Sequence, residues 1–533
     1  MALTLYRNGS IYSSADPFAT AMMIDGNTVA WIGGEEAADR QAERADEVID
    51  LEGGLVTPAF VDSHTHLADL GAVLAGEDLS AGRSPEDLVA RLRELAGATE
   101  GQIITAHGWD ETRWATGQLP ATEQLEAAAG GKGYYLPRID KHSALVNQRL
   151  LELLQLKDIT PGLVHGAERD KIAAALDADP ARVSAHQRRA LEHYASRGFA
   201  VVVEMAAEHL GGKPTLKALL AEDDPQLPEV YAYWGQAVSG ADEARALADE
   251  FDSPRLLGLG GDLKVDGSLG SRSAALREDY ADAPGERGTL FLEPEQIAAH
   301  LVACSETNTQ AGFHVIGDAA LDTVLDGFDL AAERIGVARL QAGRHRLEHA
   351  EMVDEASRQR LLAYSITVSM QPRFDEYWGA EHGMYRQRLG ERAGQMNNLA
   401  AMLSAGVPVV LGSDAPVTEV DGWATVRAAM RLNQPAGRIS ARAAFLAQTR
   451  SAYRAMGQAS PYTGQLVIGA PATFAVWSAS ELAVQTPDER ISSWSTDARA
   501  GTPLLPVIDE QIPECLRTVR AGITLFEALP VRS

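Results

Sequence analysis

The tripeptide His64-Thr65-His66 stands at the end of the apolar run Leu55–Asp62, one residue beyond it. Strand side chains alternate with period two, so a strand that finishes in His-x-His points both imidazoles the same way, where they can share one ion. Later apolar runs also end in residues able to bind a metal or carry a proton. They are Glu204, Lys264-Val-Asp266, His314, His349 in Arg346-Leu-Glu-His, and Asp414 in Gly412-Ser-Asp-Ala-Pro. Two runs end without a ligand, in Trp234 and Gln371. Taken singly, His349 suits a core histidine and Asp414 suits a cap or turn. Together, four imidazoles, a lysine and an aspartate on separate strand ends point to a metal site. Imidazoles and carboxylates bind zinc-like ions and leave a position for water. The ion lowers that water's pKa towards neutrality and polarises a carbonyl under attack.

These residues need a scaffold that gathers strand ends. The expected strands are Val56–Asp62, Ala200–Glu204, Glu229–Tyr233, Gly260–Val265, Gly312–Val315, Arg346–Leu347 with neighbours, Thr367–Met370 and Val407–Leu411. Helical segments such as Arg188–Arg197, Pro294–Thr307, Ala319–Ile335 and Asp354–Ala363 separate them. Eightfold alternation predicts an α/β fold, a (β/α)8 TIM-type barrel over residues 58–463, with its chemistry at the C-terminal strand ends. The stretch 74–180 is too long for one crossover and reads as an insertion after the first strand, with strands at Ile103–Ala106 and Tyr134–Ile139. Residues 1–57 and 464–533 are β-rich. Leu3–Arg7, Ala19–Ile24 and Val29–Ile32 are separated by the turn signals Asn8-Gly9 and Asp25-Gly26-Asn27. Gln465–Ile468, Thr473–Trp477 and Thr518–Ile523 have the same character, which predicts a small β-sandwich built from both termini.

The chain has 533 residues and a formal charge of −27. That length allows a large core. That charge disfavours nucleic acid and anionic membranes as partners and leaves a small-molecule substrate. Two cysteines cannot form a multi-bridge framework, and no signal peptide or membrane-length run is evident, so a cytoplasmic enzyme is expected. A homo-oligomer is compatible with the chain.

The order of strand-end residues resembles the amidohydrolase superfamily of metal-dependent hydrolases. Its finer motifs are similar to the amidohydrolase 3 branch, which includes N-substituted formamide deformylases. They are Gly108-Trp-Asp110, Arg138-Ile-Asp-Lys-His-Ser-Ala-Leu-Val-Asn147, Lys264-Val-Asp-Gly-Ser-Leu-Gly-Ser-Arg272, His314-Val-Ile-Gly-Asp318, Arg346-Leu-Glu-His349 and Gly412-Ser-Asp-Ala-Pro416. Ala415 and Thr473 depart from the family's usual aromatic and aspartate. The resemblance implies hydrolysis of a C–N bond, most simply in an N-formyl or N-acyl amine, by metal-activated hydroxide. A deaminase or lactone hydrolase is the alternative on the same centre, and a non-catalytic scaffold is the alternative of another class. The implied cofactors are one or two divalent ions, zinc foremost, held by His64, His66, His314, His349 and Asp414. Lys264 would carry a CO2-derived carbamate that bridges them, and Glu204 would be an auxiliary ligand or orient a ligand histidine.

Asp414, ending the eighth strand, is expected to take the proton from water and pass it to the leaving amine. Asp266 and Ser268 are candidates to orient Lys264. Arg272 is a candidate for a substrate carboxylate, against a surface ion pair. His142 and Asp140 could reach over the barrel mouth. Trp109, Trp114, Trp234, Tyr377 and Trp378 suggest an apolar group on the leaving amine, although Trp109 and Trp114 suit packing within the insertion slightly better, and Arg272 and Arg373 keep an acidic substrate open.

Overall fold

The computed structural model describes residues 2–528 apart from 77, 177–178, 459, 480, 486–502 and 510. Eight parallel strands form one sheet in chain order: β1 Phe60–Thr65, β2 Phe199–Ala206, β3 Glu229–Trp234, β4 Leu256–Leu259, β5 Gln310–Val315, β6 Arg346–His349, β7 Thr367–Met370 and β8 Val409–Leu411. Thr65 pairs with Ala415 beyond β8. The His66 N–H donates to Ala415 O at 3.0 Å and the Asp414 N–H to His64 O at 2.9 Å. The last strand thus returns to the first, nearly closing a barrel.

Helices outside and side chains inside leave the strands no wet face, so they read as continuous apolar runs. β2, Phe-Ala-Val-Val-Val-Glu-Met-Ala, is buried at every position. The covering helices carry ordinary start signals. Asp179 accepts the Ala181 N–H, with Pro180 at the first helical position of Pro180–Ser196, and Asp354 accepts the Ser357 N–H ahead of Glu355–Ala363.

Two strands differ from expectation in ways that matter. The run Val56–Asp62 is two strands. Leu55–Pro58 belongs to a terminal sheet, the chain breaks at Ala59, and β1 follows. The fourth strand ends at Leu259, earlier than expected. Gly260 lies at φ +146°, and a Cβ there would come within 2.3 Å of the Gly312 backbone, so β4 and β5 approach too closely for any other residue. Beyond it, the Val265 N–H donates to His314 O at 3.0 Å, which keeps residues 262–265 alongside the end of β5.

The insertion carries a four-stranded sheet, ordered Gly162–His165, Ser143–Val146, Gly133–Pro137, Ile103–Thr105. At the termini, Thr28–Gly33, Ala21–Asp25, Leu3–Arg7 and Glu47–Asp50 form one sheet from the N-terminal segment alone. Ser10–Ile11, Leu55–Pro58, Phe474–Trp477, Cys515–Arg520 and Ile523–Glu527 form a second, drawn from both ends. Tyr6, Met22, Val29, Val56, Phe474 and Val519 share one apolar cluster between them. Gln465–Ile468 forms turns rather than a strand. The expected strand Thr518–Ile523 is a hairpin bend, with Ala521 (φ 47°) and Gly522 (φ 80°) at its turn. Among the described residues no helix is long and apolar enough to cross a membrane.

Candidate metal centre

The strand ends converge. Asp414 Oδ1 lies 3.0 Å from His66 Nε2 and 3.4 Å from His64 Nε2. A second carboxylate, Asp262, lies opposite: Oδ2 is 3.4 Å from His66 Nε2, and Oδ1 is 3.8 Å from His64 Nε2 and 3.6 Å from His314 Nδ1. The His349 ring centroid is 4.9 Å from that of His64 and 4.5 Å from that of His314. Two triads offer ligand atoms within reach of one ion, His64–His66–Asp414 and His64–Asp262–His349. His349 (φ 70°) and Asp414 (φ 53°) both sit in the left-handed region, a costly conformation for a side-chain-bearing residue that turns each one at its strand end.

Each imidazole is fixed from behind. His64 Nδ1 faces Glu348 Oε2 at 2.8 Å, and His66 Nδ1 faces the Met205 carbonyl at 3.2 Å. His314 Nε2 faces the Gly267 carbonyl at 3.2 Å, and His349 Nδ1 faces Gln371 Oε1 at 2.9 Å. Each outer partner can only accept from the ring, which assigns the outer nitrogen as N–H and leaves the inner nitrogen with a lone pair. Glu348 is itself clamped by the buried Arg346 guanidinium, with Nε at 2.5 Å, and this pair holds its carboxyl down at about 2 against the effect of burial. Asp62, buried under the cluster, accepts from the His64 and Ser413 N–H groups at 3.1 and 3.0 Å.

These residues fit a divalent cation. Burial raises a carboxylate's pKa, yet Asp414 is held far below the usual range by His64 and His66, and Asp262 by His66, His64 and His314. His64 Nε2, Asp262 Oδ1 and Asp414 Oδ1 are buried and lack a hydrogen-bond partner. Buried polar atoms ordinarily have one, and here all three face one another in an N/O donor set suited to zinc-like ions.

The remaining expected residues are placed differently. The Lys264 amine donates to Asp170 Oδ2 and Oδ1 at 2.9 and 3.1 Å, away from the imidazoles, and Asp262 takes the place expected for it. Asp262, Lys264 and Asp266 have the same parity, so alternation alone cannot say which one faces the ions. The early end of β4 decides it. Glu204 accepts the Leu67 N–H at 2.8 Å, starting the helix Leu67–Leu74, and burial pushes its carboxyl up to about 7. Asp266 does not orient Lys264. It pins the loop after β4 to the start of the loop after β5 by accepting the Ala275, Ile316 and Gly317 N–H groups at 2.8–3.0 Å. The Ser268 hydroxyl donates to Asp140 Oδ2 at 2.7 Å. Arg272 is 39% exposed and pairs with Asp282 at 2.8 Å. Trp109 and Trp114 pack in the insertion's own core, where the Trp109 indole donates to Leu136 O at 2.7 Å. Trp234 packs in the large core that wraps the barrel.

The insertion reaches the mouth. The His142 ring centroid is 5.0 Å from that of His314. A polar lobe of about 330 Å³ runs from the imidazoles to Lys141, Arg169, His209 and Lys264. An apolar lobe of about 360 Å³ runs the other way, past Leu269, Ile316, Phe374, Trp378, Met384 and Tyr385. His349 and Asp414 border both.

A model of the amidohydrolase family matches residues 47–524. The chain is 26% identical over 494 residues to Protein LONG AFTER FAR-RED 3 of Arabidopsis thaliana, covering 85% of this chain and 83% of that one. It is 23% identical over 432 residues to the N-substituted formamide deformylase of Arthrobacter pascens, covering 75% and 77%. The crystal structure of an uncharacterized metal-dependent hydrolase from Pyrococcus furiosus matches with a TM-score of 0.69 and 27% identity, over 89% of this chain and 98% of that one. Fold, strand-end cluster and a match along most of the sequence agree: the chain belongs to the amidohydrolase family and is a hydrolase acting on carbon–nitrogen bonds other than peptide bonds.

Proposed function

We propose that the chain hydrolyses an amide-like bond, an N-formyl or N-acyl amine, in a site holding one or two divalent ions, zinc foremost. The observation that carries this is the set of four imidazoles with outer nitrogens engaged and inner nitrogens turned towards Asp262 and Asp414. His64, His66, His314, His349, Asp262 and Asp414 would hold the ions. Bound there, an ion supplies Lewis acidity, polarising the amide carbonyl and acidifying water. We assign the anionic role expected of a carboxylated Lys264 to Asp262, because the lysine amine is committed to Asp170. Terminal segments 1–57 and 464–533 are read as a β-sandwich domain beside the hydrolase barrel.

Asp414 is the proton carrier. Its Oδ1 faces His64 and His66 while its side chain borders both lobes, so it reaches the water and the leaving nitrogen. Water's oxygen bonds to the acyl carbon as the C–N bond breaks. The proton that Asp414 accepts passes to the nitrogen, giving a carboxylic acid and an amine. His142, whose ring centroid is 5.0 Å from that of His314, would donate to the carbonyl oxygen.

The test is metal analysis of the purified protein with a screen of formamides, N-acyl amines, hydantoins and lactones, scoring amine and ammonia separately. Amine release that disappears on chelation and returns with zinc supports the reading. Ammonia release, or lactone opening without amidase activity, would replace it.

A further inference from the structure

The polar lobe sets three basic side chains beside the carboxylates of the cluster. Lys141, from the insertion, and Arg169, from the helix Gly166–Leu176, are both buried, and they line this lobe together with Lys264. They also line an adjoining cavity of about 630 Å³ between the insertion sheet and the helix Pro180–Ser196. Asp170 takes one bond from Arg169 Nη1 at 3.0 Å and two from Lys264. Asp69, one-third exposed at the rim, pairs with Lys141. Apart from Asp262 and Asp414 of the metal cluster and Asp140, which Arg138 holds, two carboxylates face these three cations. Arg169 Nε and His209 Nε2 are buried with no acceptor in hydrogen-bond geometry among the described residues, while the Lys141 amine is held by its ion pair with Asp69. Buried donors left without acceptors are costly, and donors to an anion make the strongest hydrogen bonds. These two, together with the Lys141 amine, converge on one space that opens on Asp414 and His66.

We propose that Lys141 and Arg169 bind a carboxylate of the substrate, so that the preferred amide is anionic, an N-acylated amino acid with its apolar side group in the Phe374–Trp378 lobe. This rests on the amide hydrolysis proposed above. The amide lies between the two lobes, over Asp414. Arg272, which the sequence offers for a substrate carboxylate against a surface ion pair, is engaged by Asp282 and lines neither lobe.

The test uses N-formyl-phenylalanine and N-formyl-2-phenylethylamine, which differ by one carboxylate. Turnover is measured with the zinc-loaded full chain, and binding is measured calorimetrically on the same protein. The expected result is a kcat/KM at least tenfold higher for the carboxylated compound, carried mainly by KM. Lys141→Met should collapse that ratio towards one, and Lys141→Arg should keep most of it, with melting temperature and zinc content matching the parent. Equal or better turnover of the neutral amide, or a ratio unmoved by Lys141→Met and Arg169→Met, overturns the proposal. If neither compound is cleaved, binding decides. Tighter binding of the carboxylated compound that is lost in Lys141→Met sustains the anion site and removes amide hydrolysis, and no such preference removes the anion site. If Lys141→Met fails to fold, Arg169→Met and Lys141→Arg carry the comparison.

Discussion

The barrel's strand ends and the insertion that overlies them solve different problems. Every inward-facing group of the cluster sits on or directly after a strand, and each histidine is locked by an acceptor behind it. The insertion contributes long, flexible cations whose counterions lie on a helix or at the rim. Rigid elements hold reacting groups, while a separable segment shapes what is admitted. Substitutions in the first region should therefore lower the rate or strip the metal, and those in the second should move KM and substrate preference.

The largest effect is expected at Asp414. Asp414→Asn keeps the side chain's shape and removes its basicity, so kcat should fall about 10²–10⁴-fold, the usual contribution of a positioned proton carrier. Circular dichroism should be unchanged. Retention of more than about a tenth of the parent rate is incompatible with a general base.

Next comes the choice between Asp262 and Lys264. Asp262→Asn should release metal, measured by emission spectroscopy after dialysis. Lys264→Met should keep its metal, and short carboxylic acids should not stimulate it. Metal loss in Lys264→Met, with rescue by such acids, would restore the lysine carbamate and place Asp262 behind it.

A step smaller is the support behind His64. Glu348→Gln can still meet the ring but can no longer hold it as a strong acceptor beside Arg346. Loss of such a partner typically costs about 10–100-fold in metal affinity. Competition with a chromogenic chelator measures it, and an unchanged affinity would mean that the barrel alone orients the imidazole.

The barrel and the strand-end order were legible because parallel strands buried on both faces write themselves as apolar runs, and each run is punctuated by the residue that must face the mouth. The ligand on the fourth strand was not legible, because Asp262 and Lys264 share a face and only the Gly260–Gly312 contact shows where the ladder stops. The second-sphere glutamate, Glu348, stood inside a quoted motif, but its role depends on a partner 284 residues away. Lys141, Arg169 and Asp170 gave no periodic signal. They lie on the insertion, whose path over the mouth is fixed by tertiary contacts such as Ser268 with Asp140 and Lys264 with Asp170. Trp109 stayed open between two roles because an aromatic beside a motif is as readily a core residue as a pocket wall, and it packs in the insertion's core.

The smallest effect is expected at Arg272, and it sharpens the comparison most directly. Arg272 follows the fourth strand and is a sequence candidate for a substrate carboxylate, against a surface ion pair. In the structure it is 39% exposed, and its guanidinium is occupied by Asp282. Asp282 also receives Arg388, which is buried, so removing Arg272 leaves that carboxylate paired. An exposed pair of this kind contributes about 0–1 kcal/mol. Arg272→Ala should accordingly shift the melting temperature little and change kcat/KM for carboxylated and neutral amides by less than about twofold alike, whereas Lys141→Met should separate them. Should Arg272→Ala instead raise KM selectively for the carboxylated amide, the substrate's anionic end points towards the loop after β4, and the polar lobe under the insertion must serve another purpose.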